Sequence, residues 1–85
     1  MKEFEYVIKD EVGIHARPAG MLAKEARKYK STIIIKQDGK SAEAVKLMAL
    51  MGMGVKCGQT VSVEISGEDE EIAYEAMKEF FDKNL

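Results

Sequence analysis

Eighty-five residues set the scale: one domain, with room for one core and none for two lobes around a substrate cleft. The composition suits such a core, at 46% hydrophobic and 33% charged, while a net charge of −2 gives no electrostatic footprint for nucleic acid. One Cys excludes an internal disulfide, one Cys with one His excludes the usual four-ligand structural zinc sites, and no apolar run reaches the roughly 18 residues of a membrane span.

The chain opens on Met1-Lys2-Glu3-Phe4-Glu5, with acids where a secretory leader has its apolar stretch, so the expected location is the cytoplasm. Residues 3–9 alternate: Phe4, Tyr6 and Ile8 share one face and Glu3, Glu5, Val7 and Lys9 the other, the period of a half-buried strand. Asp10 to Gly13 breaks it. From Ala16 to about Tyr29 the period changes, with Ala19, Leu22, Ala23, Ala26 and Tyr29 on the apolar stripe of an amphipathic helix. Pro18 falls in its first turn, where the missing N–H costs no intrahelical bond, and basic residues crowd its last turn. Thr32 to Lys36 is β-branched and reads as a strand; Asp38-Gly39 signals a hairpin, with the return strand at about 40–44.

Leu47, Met48, Leu50 and Met51 predict one or two helical turns, ended by Gly52 and Gly54. Cys57-Gly58 is a turn, and Thr60 to Ile65 alternates with Val61, Val63 and Ile65 inward. The last helix is expected from about Asp69 to Lys83, with capping oxygens in Ser66 to Asp69 and a stripe of Ile72, Ala73, Ala76, Met77 and Phe80. The order is β-α-β-β-α-β-α, which points to an α+β two-layer sandwich: an antiparallel sheet with its helices on one face.

His15 lies just before the first helix, at or beside its N-cap, and Gly13 permits a tight approach to it. Free backbone N–H groups and the positive end of the helix dipole favour an anion there, most obviously a phosphoryl group. The same field disfavours imidazolium and leaves a neutral ring with a nucleophilic lone pair. Arg17, two residues on, carries a permanent charge and a fork of donors matched to phosphate oxygens. No carboxylate dyad, P-loop or second histidine accompanies them. So bare a site suits accepting a phosphoryl group from one protein and handing it to another, rather than turning over a small substrate.

Plainer readings exist for each residue. A lone His before a helix more often caps it, and a lone Arg is more often a solvated charge. Met48, Met51 and Met53 are by default core packing, although methionine also suits adaptable binding surfaces. Cys57 has no resolving partner, and Lys24, Arg27, Lys28 and Lys30 form the solvated side of a helix.

Gly13-Ile14-His15-Ala16-Arg17-Pro18-Ala19 resembles the phosphorylation-site signature of HPr, the histidine-containing phosphocarrier family of the phosphoenolpyruvate-dependent sugar phosphotransferase system. The resemblance spans residues 1–85 as a single phosphocarrier domain, including the Asp38-Gly39 hairpin and the Leu47, Met48 and Met51 segment. It implies an open-faced sandwich with strand order 1-4-2-3. It implies that His15 is phosphorylated on Nδ1 by phosphorylated enzyme I and passes the group to the IIA component of a sugar permease. Arg17 and the backbone around Ala16, Arg17 and Pro18 would hold the phosphoryl group. Ala19 and Gly20 of the first helix, with Leu47, Met48 and Met51, would form the docking face, which moves the methionines from core to interface. A phosphocarrier of this kind is not an enzyme in its own right, needs no cofactor or metal, and is expected as a monomer.

The sequence departs from the family pattern at two positions. Relatives from low-GC Gram-positive bacteria carry a regulatory serine in Lys-Ser-Ile-Met; here Val45-Lys46-Leu47-Met48 puts Lys46 at that place, which removes the hydroxyl that HPr kinase would modify. Val12 stands where many relatives have Ser or Thr, so a slightly weaker loop is expected. Two other readings stay open at this level: an HPr-like regulatory carrier serving a nitrogen-related or dihydroxyacetone kinase pathway, and a non-phosphorylated interaction module.

Overall fold

The computed structural model describes residues 1–85. The elements follow in the expected order: β1 (Lys2–Val7), α1 (Ala16–Ala26), β2 (Thr32–Gln37), β3 (Lys40–Glu43), α2 (Leu47–Gly52), β4 (Thr60–Ser66) and α3 (Glu70–Asn84). The four strands form one antiparallel sheet in the order β1-β4-β2-β3. Its register sets like against like. Phe4 faces Val63 and Tyr6 faces Val61 across β1 and β4, while Ile33 faces Ile65 and Ile35 faces Val63 across β2 and β4. These side chains point to the helical layer and build one core with Leu22, Leu50, Met77 and Phe81. The opposite face is left open; there Lys36 pairs with Glu64 at 2.9 Å. The β2–β3 turn has positive φ at both Asp38 (50°) and Gly39 (82°), the backbone that a two-residue hairpin matched to strand twist demands.

The helices depart from expectation in detail. α1 buries Ala19, Leu22, Ala23 and Ala26 as its stripe dictates, but ends at Ala26 rather than Tyr29. The chain tightens there: the N–H groups of Lys28 and Tyr29 donate to the carbonyls of Glu25 and Ala26, three residues back. The Tyr29 ring still packs against the core, and its hydroxyl donates to Glu25 Oε2 at 3.2 Å. In α3 the buried residues are Ala73 and Met77 of the predicted stripe together with Phe81, which lies outside it. Ile72 is 67% exposed and Phe80 only half-buried. Phe81 decides the rotation, since its ring stands edge-on to Phe4 and Tyr6, with centroids at 5.7 and 5.5 Å.

Asp69 occupies the N-cap of α3 but makes no side-chain cap bond. Its carboxylate reaches back across the fold instead. Oδ1 accepts from the Ser31 N–H and hydroxyl, and Oδ2 accepts from the Lys30 N–H at 2.9 Å, tying the α1–β2 connection to the start of α3. The Ser31 hydroxyl, followed by the Lys30 N–H, holds the Asp69 carboxyl below its ordinary range. A carboxyl lowered in the folded state adds stability that is present above its unfolded pKa of about 3.9 and disappears as pH falls through the folded value. Asp69→Asn should therefore lower the thermal midpoint at pH 7. Its difference from wild type should shrink as the pH drops below about 4; parallel Tm-versus-pH curves would refute this role for Asp69.

Candidate functional site: the His15 loop and the start of the first helix

The connection from β1 to α1 is held at both flanks. Ile8 exchanges backbone bonds with the 58–59 turn, donating to Gln59 O at 2.9 Å and accepting from Gly58 N–H at 2.8 Å. Asp10 then shapes the loop: its Oδ1 accepts from the Val12 N–H at 2.9 Å and its carbonyl from the Gly13 N–H at 3.0 Å. Gly13 has φ +73°, and a Cβ added there would overlap the Val55 carbonyl and the Lys56 Cα. Only glycine allows this approach, which lets the Ile14 N–H donate to Val55 O at 3.0 Å while the Ile14 side chain enters the core.

His15 comes next, as the N-cap of α1 in extended conformation, half-buried and without a side-chain cap bond. Its carbonyl accepts the first helical bond, from Ala19 N–H at 2.8 Å. Helix geometry leaves the N–H groups of Ala16 and Arg17 without intrahelical partners, while Pro18 has none to offer. The predicted backbone cradle thus narrows to two donors. No acid sits in the first turn to neutralise the positive end of the dipole. His15 and Arg17 line one open depression of about 320 Å³, with Asp10, Val12, Met21 and Lys83 around them.

The expected docking residues divide. Met48, at 76% exposure, and Met51 lie outward on α2, Leu47 is half-buried, and Gly20 is half-buried on α1. Ala19 does not belong with them. It is fully buried and packs α1 against the core, so it offers a partner nothing. Met21, exposed and on the rim of the depression, lies at the surface in its place. Met53 is buried, as its default reading has it. α1 and α2 lie side by side, joined by the Arg27 guanidinium donating to Val45 O at 3.1 Å.

The comparisons with known proteins agree with this geometry. The family model described as the PTS HPr component phosphorylation site matches residues 2–83. The chain belongs to the HPr phosphocarrier family. It is 41% identical over 85 residues to the phosphocarrier protein HPr of Mycoplasma genitalium, covering 99% of this chain and 97% of the relative. The crystal structure of HPr from Thermoanaerobacter tengcongensis superposes with a TM-score of 0.92 at 36% identity, over 98% of this chain and 93% of that one. Crh of Bacillus subtilis, solved as a domain-swapped dimer, matches with a TM-score of 0.78 at 29% identity, over 100% of this chain and 98% of that one.

Against the HPr pattern, the two departures acquire structure. Lys46 is the N-cap of α2, makes no side-chain cap bond and pairs with Glu43 at 3.3 Å on the surface. Val12 lacks a hydroxyl and is exposed, and the loop is closed there by its backbone N–H donating to the Asp10 carboxylate. Sequence reasoning missed Asp10, Met21 and Lys83. Asp10 was findable as an Asx turn and Met21 as the next outward position on α1; Lys83 had no local signal, because α3 is brought here by the fold.

Two substitutions test this construction. Gly13→Ala should cost about 1–3 kcal/mol for the positive φ alone, with the overlap at Val55 added, and shift the denaturant midpoint accordingly. Lys46→Ser should supply the missing cap of α2 and raise stability by about 0.5–1 kcal/mol, read as a higher Tm.

Proposed function

We propose that His15 is the phosphorylated residue of this HPr, taking its phosphoryl group from phosphorylated enzyme I and passing it to a IIA component of a sugar permease. The observation that carries this reading is the imidazole at the uncapped N-terminus of α1, sharing one depression with Arg17. The lone pair of Nδ1 forms the new P–N bond as the bond from phosphorus to the donor breaks, and that electron pair stays with the donor. The Ala16 and Arg17 N–H groups and the Arg17 guanidinium hold the equatorial oxygens during the exchange. Onward transfer reverses the step: an acceptor attacks phosphorus, and the His15 imidazole departs with the electron pair.

A carrier that bound the phosphoryl group too well would stall. An open depression with few donors suits rapid release, as a carrier with no independent turnover requires. The protein works in the cytoplasm as a monomer, presenting its α1–α2 face to one partner after another. Lys46 removes the hydroxyl on which HPr kinase would act, so the carrier runs free of that control and favours acidic partners.

Incubation with enzyme I and phosphoenolpyruvate should add an acid-labile mass of one phosphate. His15→Ala should abolish it, and Arg17→Ala should slow transfer by about tenfold, the effect of one charge-assisted hydrogen bond. No mass gain, with a control HPr labelled in parallel, would remove the proposal; labelling without transfer to any sugar-type IIA protein would move the carrier outside sugar uptake.

A further inference from the structure

The C-terminal end of α3 is sewn to the His15 loop. The N–H groups of Lys9 and Asp10 both donate to the backbone oxygen of Leu85, at 2.5 and 2.8 Å, and the Leu85 side chain is buried in the core. This seam sets Lys83, in the last turn of α3, on the rim of the depression that holds His15 and Arg17. The same lysine lines a second depression, of about 350 Å³ between α1 and α3, which contains Glu79. Its ammonium pairs there with Glu79 Oε1 at 2.7 Å, both side chains being well exposed. One flexible side chain thus stands on the ridge between a carboxylate and the phosphoryl seat.

Two cations, Arg17 and Lys83, and one carboxylate, Asp10, border the seat of His15. Asp10 Oδ1 is engaged by the Val12 N–H. A phosphoryl group brings a charge of about −1.5 to −2 at neutral pH and reverses the local balance. An exposed lysine–carboxylate pair contributes little, so Glu79 is a weak competitor for the ammonium, and the four-carbon stem moves the charge without moving the backbone. The hydrogen bond it donates to Glu79 holds the Lys83 ammonium above its ordinary range, so the charge is present throughout neutral pH.

We propose that Lys83 is a second phosphoryl-binding cation, leaving Glu79 when His15 is phosphorylated and pairing with a phosphoryl oxygen on the far side from Arg17. This rests on the reading of His15 as the phosphorylated residue. It also explains a division of labour: Arg17 is fixed in sequence beside the nucleophile, while Lys83 is a detachable counter-ion that stabilises the loaded carrier and can be surrendered to an incoming partner.

The test is a ³¹P NMR titration of the protein phosphorylated with enzyme I and phosphoenolpyruvate. In Lys83→Met the titration midpoint of the phosphoryl group should rise by about 0.3–0.7 pH unit, a two- to fivefold weaker hold on the dianion. Lys83→Arg should restore it. Lys78→Met, which removes the same charge from over the Tyr74 ring on the same helix, should leave it unchanged. A normally labelled Lys83→Met with the wild-type midpoint overturns the inference. So does an equal shift in Lys78→Met, or a failure of Lys83→Arg to restore the value. Wild-type protein that takes up no phosphate overturns the reading of His15 and this inference together.

Discussion

The site depends on how closely the backbone at Gly13 lies against Val55. A loop that must deliver an imidazole to a helix N-terminus needs an anchor one or two residues away, and here the anchor is main chain on main chain. Gly13 has no Cβ to hold the 55–56 backbone off, so the Ile14 N–H reaches the Val55 carbonyl and the Ile14 side chain drops into the core. With Ile14 fixed on both counts, the next residue can only start the helix. Positioning of this kind matters for group transfer, because small displacements of a nucleophile cost large factors in rate.

What that anchor delivers is a helix start left deliberately bare. A Ser or Asp at the N-cap would stabilise α1 by about 0.5–2 kcal/mol, but its oxygen would occupy the donors a phosphoryl group needs. His15 makes no such bond, and no acid in the first turn takes its place. Pro18 limits the cost of this choice, since it removes one N–H that would otherwise stand without a partner. The stability forgone at the cap is recovered by burying Pro18, Ala19, Leu22, Ala23 and Ala26 along the same helix. The fold therefore holds the site open from beneath.

Most of this architecture is legible in the residues because each element has one clean period. β1 and β4 alternate, α1 carries one narrow Ala-rich stripe, and Asp38-Gly39 admits one kind of turn. On α3 the sequence turns Ala73 and Met77 inward correctly but misses Phe81, because two overlapping stripes are on offer. Ile72, Ala76 and Phe80 compete with Ala73, Met77 and Phe81, and only the aromatic rings on β1 decide between them. Contacts across the fold leave no local trace. Asp69 reads as a cap from its neighbours, yet it spends its oxygens on Lys30 and Ser31. Ala19 is a different case: the motif marks it for the docking face, but the helical period already turns it inward. His15 and Arg17 were legible because their chemistry is local, and Lys83 was not because it arrives on another element.

Charge completes the argument. A net charge of −2 conceals an uneven distribution of charge over the surface. α1 and the turn after it expose Arg17, Lys24, Arg27, Lys28 and Lys30, whereas α3 exposes four acids, Glu71, Glu75, Glu79 and Asp82, against two lysines, Lys78 and Lys83. The short α2 joins the basic flank. At six residues it is too short to stand alone, and it is held by the buried Leu50 and by Arg27 reaching Val45. That leaves Met48 and Met51 outward, with Lys46 beside them. Flexible apolar side chains edged by cations can fit several acidic surfaces without being specialised for one. Attraction for an acidic surface then falls beside the helix that carries the imidazole, so it would also orient what it attracts towards His15.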